Sequence, residues 1–208
     1  KQGGFGVHGP SQHQIDSLLE HCQAGRFTEA QELALLVTNK FPGHVFGWTV
    51  LAAVLQQTGS LSESLLPVQK AVELTPEDSE AHYNLGSILQ DLGRLDEAEA
   101  SYNRAIALKY DSTKLHTNLG VTLHKLGRLE EAEAAYTQAI VLKPDNAKAH
   151  YNFGNMLTEL NRLDEAEASY KQAISLQENF GKAEAQLGKV FLAQGRLEEG
   201  LSQMRRGS

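Results

Sequence analysis

Apolar residues recur along this chain at helical spacing, in short runs that each end at a glycine or a polar break. Over residues 79–112, Ala81, Leu85, Ile88, Leu89 and Leu92 share one helical face, and Gly93 stops the pattern where a left-handed residue closes a helix. A second stripe follows at Leu95, Ala98, Tyr102, Ala105, Ile106 and Leu108. The stretch therefore predicts two helices joined by a tight turn. Asp96, Glu97 and Glu99 crowd the first turn of the second helix, where each negative charge complements the helix dipole by roughly 0.3–1 kcal/mol.

The same wording returns at a fixed interval of 34 residues: LGRLEEAEAAYTQAIVLK within 113–146, then NRLDEAEASYKQAISLQ within 147–180. Counting outward gives repeats at 11–44, 45–78, 79–112, 113–146, 147–180 and 181–208, the last incomplete, after a flexible glycine-rich lead-in at 1–10. A fixed period of this length marks a repeat array in which one helix pair stacks on copies of itself. Two local features stand out in 45–78. Pro67 falls inside the second helix and predicts a kink at roughly 3 kcal/mol. Ser60 and Glu63 have the spacing of a capping box that would start that helix.

The recurring positions resemble the tetratricopeptide repeat: an aromatic, Leu-Gly, Tyr, Ala, an aromatic and Pro at fixed offsets, strongest in 79–180. The small residues Ala52, Gly86, Gly120, Gly154 and Gly188 would let helices approach, with Ala98, Ala132 and Ala166 on the facing helix. There are departures. His82, His116 and His150 stand for the first aromatic, Asn161 for the turn glycine, and Tyr110 and Glu178 for the closing proline. Asn tolerates the left-handed conformation, so Asn161 should close its turn as glycine does. The resemblance implies an all-α, right-handed α-solenoid of antiparallel helix pairs, about six repeats long. It also implies a concave surface lined by the first helix of each repeat, where partners lie.

Inner-face positions carried over from the family give four rungs. They are Glu80, Lys114, Lys148 and Lys182; Thr49, Tyr83, Thr117, Tyr151 and Ala185; Asn84, Asn118 and Asn152; and Ala53, Ser87, Val121, Asn155 and Lys189. Three side-chain amides one repeat apart can pair with the backbone of an extended chain whatever its sequence. The row resembles the asparagine ladder in the superhelix of O-linked N-acetylglucosamine transferases. The expected function is a non-catalytic scaffold holding a peptide or protein segment through Asn84, Asn118, Asn152, Asn155, Tyr83, Tyr151, Lys114, Lys148 and Lys182. Two alternatives stand beside it. Leu187, Phe191, Leu197, Leu201 and Met204 have no following repeat to cover them, which suggests a homo-oligomer through an open C-terminal end. The wording is also similar to bacterial arrays that precede glycosyltransferase, sulfotransferase or iron and 2-oxoglutarate oxygenase domains, which suggests the targeting arm of a larger enzyme.

The remaining chemistry narrows these choices. A net charge of −7 disfavours nucleic acid, whose phosphates need a basic stripe. The one cysteine, Cys22, makes neither a disulfide framework nor a metal site alone, and it points to a reducing, cytoplasmic setting. No apolar run approaches the roughly 18–20 residues of a membrane span. His82, His116 and His150 sit on helices expected roughly 8–10 Å apart, too far for one zinc ion, and His8, His13, His21 and Cys22 lack a ligand spacing. No phosphate loop, HExxH, GxSxG or paired-Cys motif occurs, so neither a cofactor nor catalysis is expected.

Overall fold

The computed structural model describes residues 9–207, so most of the lead-in (1–8) and the terminal Ser208 lie outside the described residues. Of that lead-in, Pro10 is buried and Gly9 lies close against the His44 ring. The described residues form helices only. They are α1 (Gln12–Gln23), α2 (Phe27–Lys40), α3 (Val45–Gln57), α4 (Leu61–Leu74), α5 (Ser79–Asp91), α6 (Leu95–Ala107), α7 (Thr113–Lys125), α8 (Leu129–Leu142), α9 (Ala147–Glu159), α10 (Leu163–Leu176), α11 (Gly181–Ala193) and α12 (Leu197–Arg206). They pack as successive pairs, the all-α helix-pair class expected from the periodicity. The chain divides into two compact units between Tyr110 and Asp111, with α1–α6 in the first and α7–α12 in the second.

The two helices of a pair start differently. First helices α1, α5, α7 and α9 are capped by side chains, whereas α3 and α11 are not: the Asp78 carboxylate accepts from the Glu80 and Ala81 amides at 2.9 and 3.3 Å, and the Ser112 hydroxyl accepts from the Leu115 amide at 3.1 Å. Ser11 and Gln14 form a full capping box. Second helices have no such cap. Each follows a turn closed by a left-handed residue, Gly93 at φ 75° in one repeat and Asn161 at φ 56° two repeats on, as anticipated for asparagine. That turn leaves the next residue at ψ near 70° rather than extended, as in Arg94 and Arg128 (ψ 68° and 71°). Ser60, at ψ 55°, shares this geometry, so the capping box expected with Glu63 does not form. The Glu63 amide takes the Ser60 carbonyl instead.

α4 runs through Pro67 without a break. The ring lies in the buried face, and what it removes is one backbone bond, to the carbonyl of exposed Glu63. Where the closing proline is missing, the chain turns through a left-handed residue: Lys109 (φ 66°) before Tyr110 and Asn179 (φ 58°) after Glu178.

An aromatic ring laid on a glycine holds each central pair together. A Cβ added at Gly86 would lie 2.7 Å from the Tyr102 ring, and one at Gly120 would lie 2.7 Å from the Tyr136 ring. At Gly154 the gap to Tyr170 is 2.8 Å. The group facing these glycines is thus the tyrosine, not the alanine a turn earlier. The three rings are essentially inaccessible to water. In the flanking repeats the sizes shift, and in the first of them they trade places. Ala52 and Val68 share one buried cluster, Leu18 and Ala34 another, and Met204 meets Gly188 at the equivalent place in the last pair.

The acidic first turns are committed to arginine. Arg94, Arg128, Arg162 and Arg196 each make a two-pronged bond to the glutamate three residues on: Glu97, Glu131, Glu165 and Glu199. Arg162 and Arg196 also reach back to Glu133 and Glu167 of the preceding repeat, at 2.7 and 2.8 Å. The arginine bonds hold the carboxyls of Glu97, Glu131, Glu165 and Glu199 below their ordinary range.

Two outcomes follow. Gly86→Ala should destabilise the chain by about 1–3 kcal/mol through overpacking, and pairing it with Tyr102→Val should cost less than the two single changes summed. A double-mutant cycle from urea unfolding checks this, and strict additivity would show that the ring does not sense the Cβ. Because the four glutamates have depressed folded-state pKa values, their contribution is complete above the ordinary carboxylate pKa and fades as pH falls through the folded value. Changing all four to Gln should therefore lower Tm at pH 7 and flatten its fall below about pH 4.5, in melts compared at low and high salt.

Candidate functional site

In each compact unit the first helices of consecutive repeats line a cavity. In the unit beginning at Asp111 it holds about 420 Å3. Val121, His124 and Lys125 come from α7, Asn152, Asn155, Thr158 and Glu159 from α9, and Gln186 from α11, with the buried rings of Tyr136 and Tyr170 as its floor. In the other unit a cavity of about 170 Å3 lies between α3 and α5, lined by Thr49, Ala53 and Gln56 on one side and Glu80 and Asn84 on the other. Helical spacing explains the lining. Thr49, Ala53 and Gln56, like Asn152, Asn155 and Glu159, sit three and four residues apart on the same helix face.

The residues expected from the sequence separate into groups. Asn84 lines the smaller cavity, and Asn152 and Asn155 the larger. Asn118 is half-buried on α7 and lines neither. Lys114, Lys148 and Lys182 are exposed and also line neither. Tyr83 packs on Tyr102 and Tyr110, with ring centroids 6.1 and 5.3 Å apart. Tyr151 does the same with Tyr170 and Phe180, at 6.1 and 5.1 Å. These two tyrosines are held in aromatic clusters at the base of the repeat.

Polar side chains in the larger cavity are largely engaged. The Tyr170 hydroxyl donates to Asn155 Oδ1 at 2.8 Å and lies 3.2 Å from Thr158 Oγ1; burial raises its pKa to about 12, with smaller contributions from Thr158, which opposes, and from Tyr151 and Glu159. His124 Nε2 donates to Glu159 Oε2 at 2.8 Å. Two atoms are left over. The Tyr136 hydroxyl and the Asn152 Nδ2 are buried without a hydrogen-bond partner in the protein. Burial first, and then the Glu159 charge, push the Tyr136 phenol well above the ordinary tyrosine range, so it remains a neutral donor and acceptor. Sequence reasoning overlooked Tyr136, His124, Thr158, Glu159 and Gln186. Gln186 was the legible one, since it continues the asparagine row one repeat further.

The histidines are used in the scaffold. His82 and His150 donate Nε2–H to the carbonyls of Pro76 and Pro144, each at 2.9 Å, as the Trp48 indole does to Pro42 at 2.8 Å. In the repeat where Tyr110 replaces that proline, His116 pairs with Asp111 Oδ1 at 2.9 Å. In four of the six repeats this position thus places a planar ring with an N–H, whereas the first and last repeats have Gln14 and Glu184 there. Among the described residues no group of three or more His, Cys, Asp or Glu is placed to hold a metal. Cys22 is half-buried, and burial pushes its thiol up. Phe191, expected at an uncovered end, is buried beneath the Arg196 guanidinium, 4.0 Å from its ring, whereas Leu197 and Leu201 remain exposed. Among the described residues no helix is long and apolar enough to cross a membrane.

Two family models, both described as tetratricopeptide repeat, match residues 77–142 and 117–183. No curated protein sequence matches the chain. Solved structures do resemble it. PilW, a widely conserved type IV pilus biogenesis factor, superposes with a TM-score of 0.84 at 18% identity, over 93% of this chain and 91% of PilW. YrrB, a TPR protein with an unusual peptide-binding site, gives 0.64 at 21% identity, over 87% and 90%. MamA from Desulfovibrio magneticus RS-1 gives 0.70 at 18% identity, over 77% and 90%. At these identities the likeness is one of fold. Together with the 34-residue period, the helix pairs and the glycine–tyrosine contact that binds them, the matches place this chain in the tetratricopeptide repeat family.

Proposed function

We propose that the chain is a non-catalytic interaction scaffold that holds an extended peptide or protein segment on the surface built from the first helices of its repeats. The observation behind this reading is the cavity of about 420 Å3 walled by α7, α9 and α11, whose lining sets amide, hydroxyl, imidazole, carboxylate and ammonium groups beside Val121 and the rings of Tyr136 and Tyr170. Such a wall suits a peptide backbone, which offers a donor and an acceptor at each residue. Within its own unit, Asn84 of the smaller cavity would grip such a backbone, as would Asn152 and Asn155 of the larger cavity in theirs. YrrB, which shares the fold, is described as having a peptide-binding site, and this supports the reading.

A second reading rests on α12. Leu197 and Leu201 lie four residues apart on one helical face with 63% and 53% of their surfaces exposed, which suits self-association. If that reading holds, light scattering should show mass rising with concentration and the rise lost in Leu197→Glu/Leu201→Glu. A concentration-independent mass would reject it.

For the groove, the test is a random-peptide display library selected on the chain, with selected peptides titrated against Asn84→Ala/Asn118→Ala/Asn152→Ala. The triple variant should keep its helical circular dichroism and lose more than about 1 kcal/mol of binding, since each net hydrogen bond contributes roughly 0.5–1.5. Unchanged affinity would move the binding surface away from the asparagines.

A further inference from the structure

The central repeats use one floor design three times and complete it only twice. The Tyr102 hydroxyl donates to Gln90 Oε1 at 3.0 Å, and the Tyr170 hydroxyl meets Thr158 Oγ1 at 3.2 Å, in each case a residue twelve positions earlier. For Tyr136 that residue is His124, and its Nε2 is taken by Glu159 of the next repeat at 2.8 Å. The Tyr136 hydroxyl is thereby left buried and unpartnered in the protein, in the floor of the same cavity whose wall carries the unpartnered Asn152 Nδ2. A buried polar group without a bond is costly, and few survive in folded proteins without a purpose.

On these grounds we infer that the cavity floored by Tyr136 is a subsite for one carboxamide side chain, Asn or Gln, of the bound peptide. The inference rests on the groove reading above and adds a side-chain preference to it. Both orphan groups can donate, so their complement is an acceptor oxygen, which the amide carbonyl supplies. The amide's own NH2 needs acceptors, and the site offers the Glu159 carboxylate, which spends one oxygen on His124, and Asn155 Oδ1, which already accepts from Tyr170 and has a second lone pair. A carboxylate ligand would supply the acceptor, and Lys125 in the same lining offers it a cation, but it would set the Glu159 carboxylate and Asn155 Oδ1 against a second anion. An apolar side chain would satisfy neither donor. The volume, about 420 Å3, far exceeds the ~30 Å3 share of a single water. Both orphan atoms are closed off from solvent although Asn152 as a residue is only half-buried, so entry of the ligand requires the Asn152 amide to turn aside.

The experiment is the same peptide display, selected on the chain and on two variants. Tyr136→Phe deletes only the hydroxyl and should not lower Tm, because it removes an unpaired buried group. His124→Gln restores the side-chain type that occupies Tyr102's hydroxyl through Gln90, and so should close the subsite from within. Peptides selected on the unaltered chain should share Asn or Gln at one position. Changing that residue to Ala should weaken binding at least about fivefold to the unaltered chain and less than twofold to either variant. Peptides that bind through Asn152 with no carboxamide preference, or with Asp or Glu at that position, would overturn the subsite and leave the groove standing. Equal affinities for the chain and Tyr136→Phe would also overturn it, since the hydroxyl would then meet only water. Selection of no peptide at all would overturn both readings.

Discussion

The contact on which the central repeats depend is that of a tyrosine ring against a glycine that has no side chain. With Gly86, Gly120 and Gly154 bare, the rings of Tyr102, Tyr136 and Tyr170 reach the backbone of the facing helix and are sealed from water. Close-packed interiors tolerate little change in volume, so the identity of one partner constrains the other. The outer repeats make this visible. Ala52 goes with Val68 and Leu18 with Ala34, so a larger residue on the first helix accompanies a smaller one on the second. The quantity preserved along the array is the filled volume between paired helices, and the residue types are free to vary around it.

Polar groups follow a parallel economy. Arginine at the start of each later second helix bonds the glutamate one turn on, and in two repeats also bonds a glutamate of the preceding repeat. One glutamate of each acidic first turn is thus engaged within the scaffold. The same holds for the histidines, whose ring nitrogens tie the start of a first helix to the turn before it, leaving them without the freedom a metal site needs. On the face formed by the first helices the larger cavity keeps two polar atoms that the fold does not use, the Tyr136 hydroxyl and Asn152 Nδ2. Within that face a single substitution, His124 where its counterparts are Gln90 and Thr158, frees the Tyr136 hydroxyl.

The period of 34 residues, the two apolar stripes per period and the left-handed closing residue are local properties, and helix class and family could be read from them directly. Asn161 at φ 56° illustrates how far such reading extends, since backbone sterics alone decide which residues can stand there. Ser60 marks its limit. Its spacing to Glu63 satisfies the capping pattern, yet the preceding glycine turn fixes a ψ that aims the hydroxyl elsewhere, and no residue count reveals that.

Site residues were legible where they sit in register and obscure where they depend on a neighbour's choice. Asn84, Asn152 and Asn155 could be placed on a common face by translation, while Tyr83 and Tyr151, in equivalent register, turn into aromatic clusters because Tyr110 and Phe180 lie within reach. The sequence by itself determined the repeat and the helices, because these follow from bond geometry and the burial of apolar stripes. Only the tertiary structure decided that His124 pairs with Glu159, thirty-five residues on, and so leaves Tyr136 unsatisfied. Which of several acceptors a donor takes depends on distances of a few tenths of an ångström across a packed interface, and these exist only once the helices have stacked.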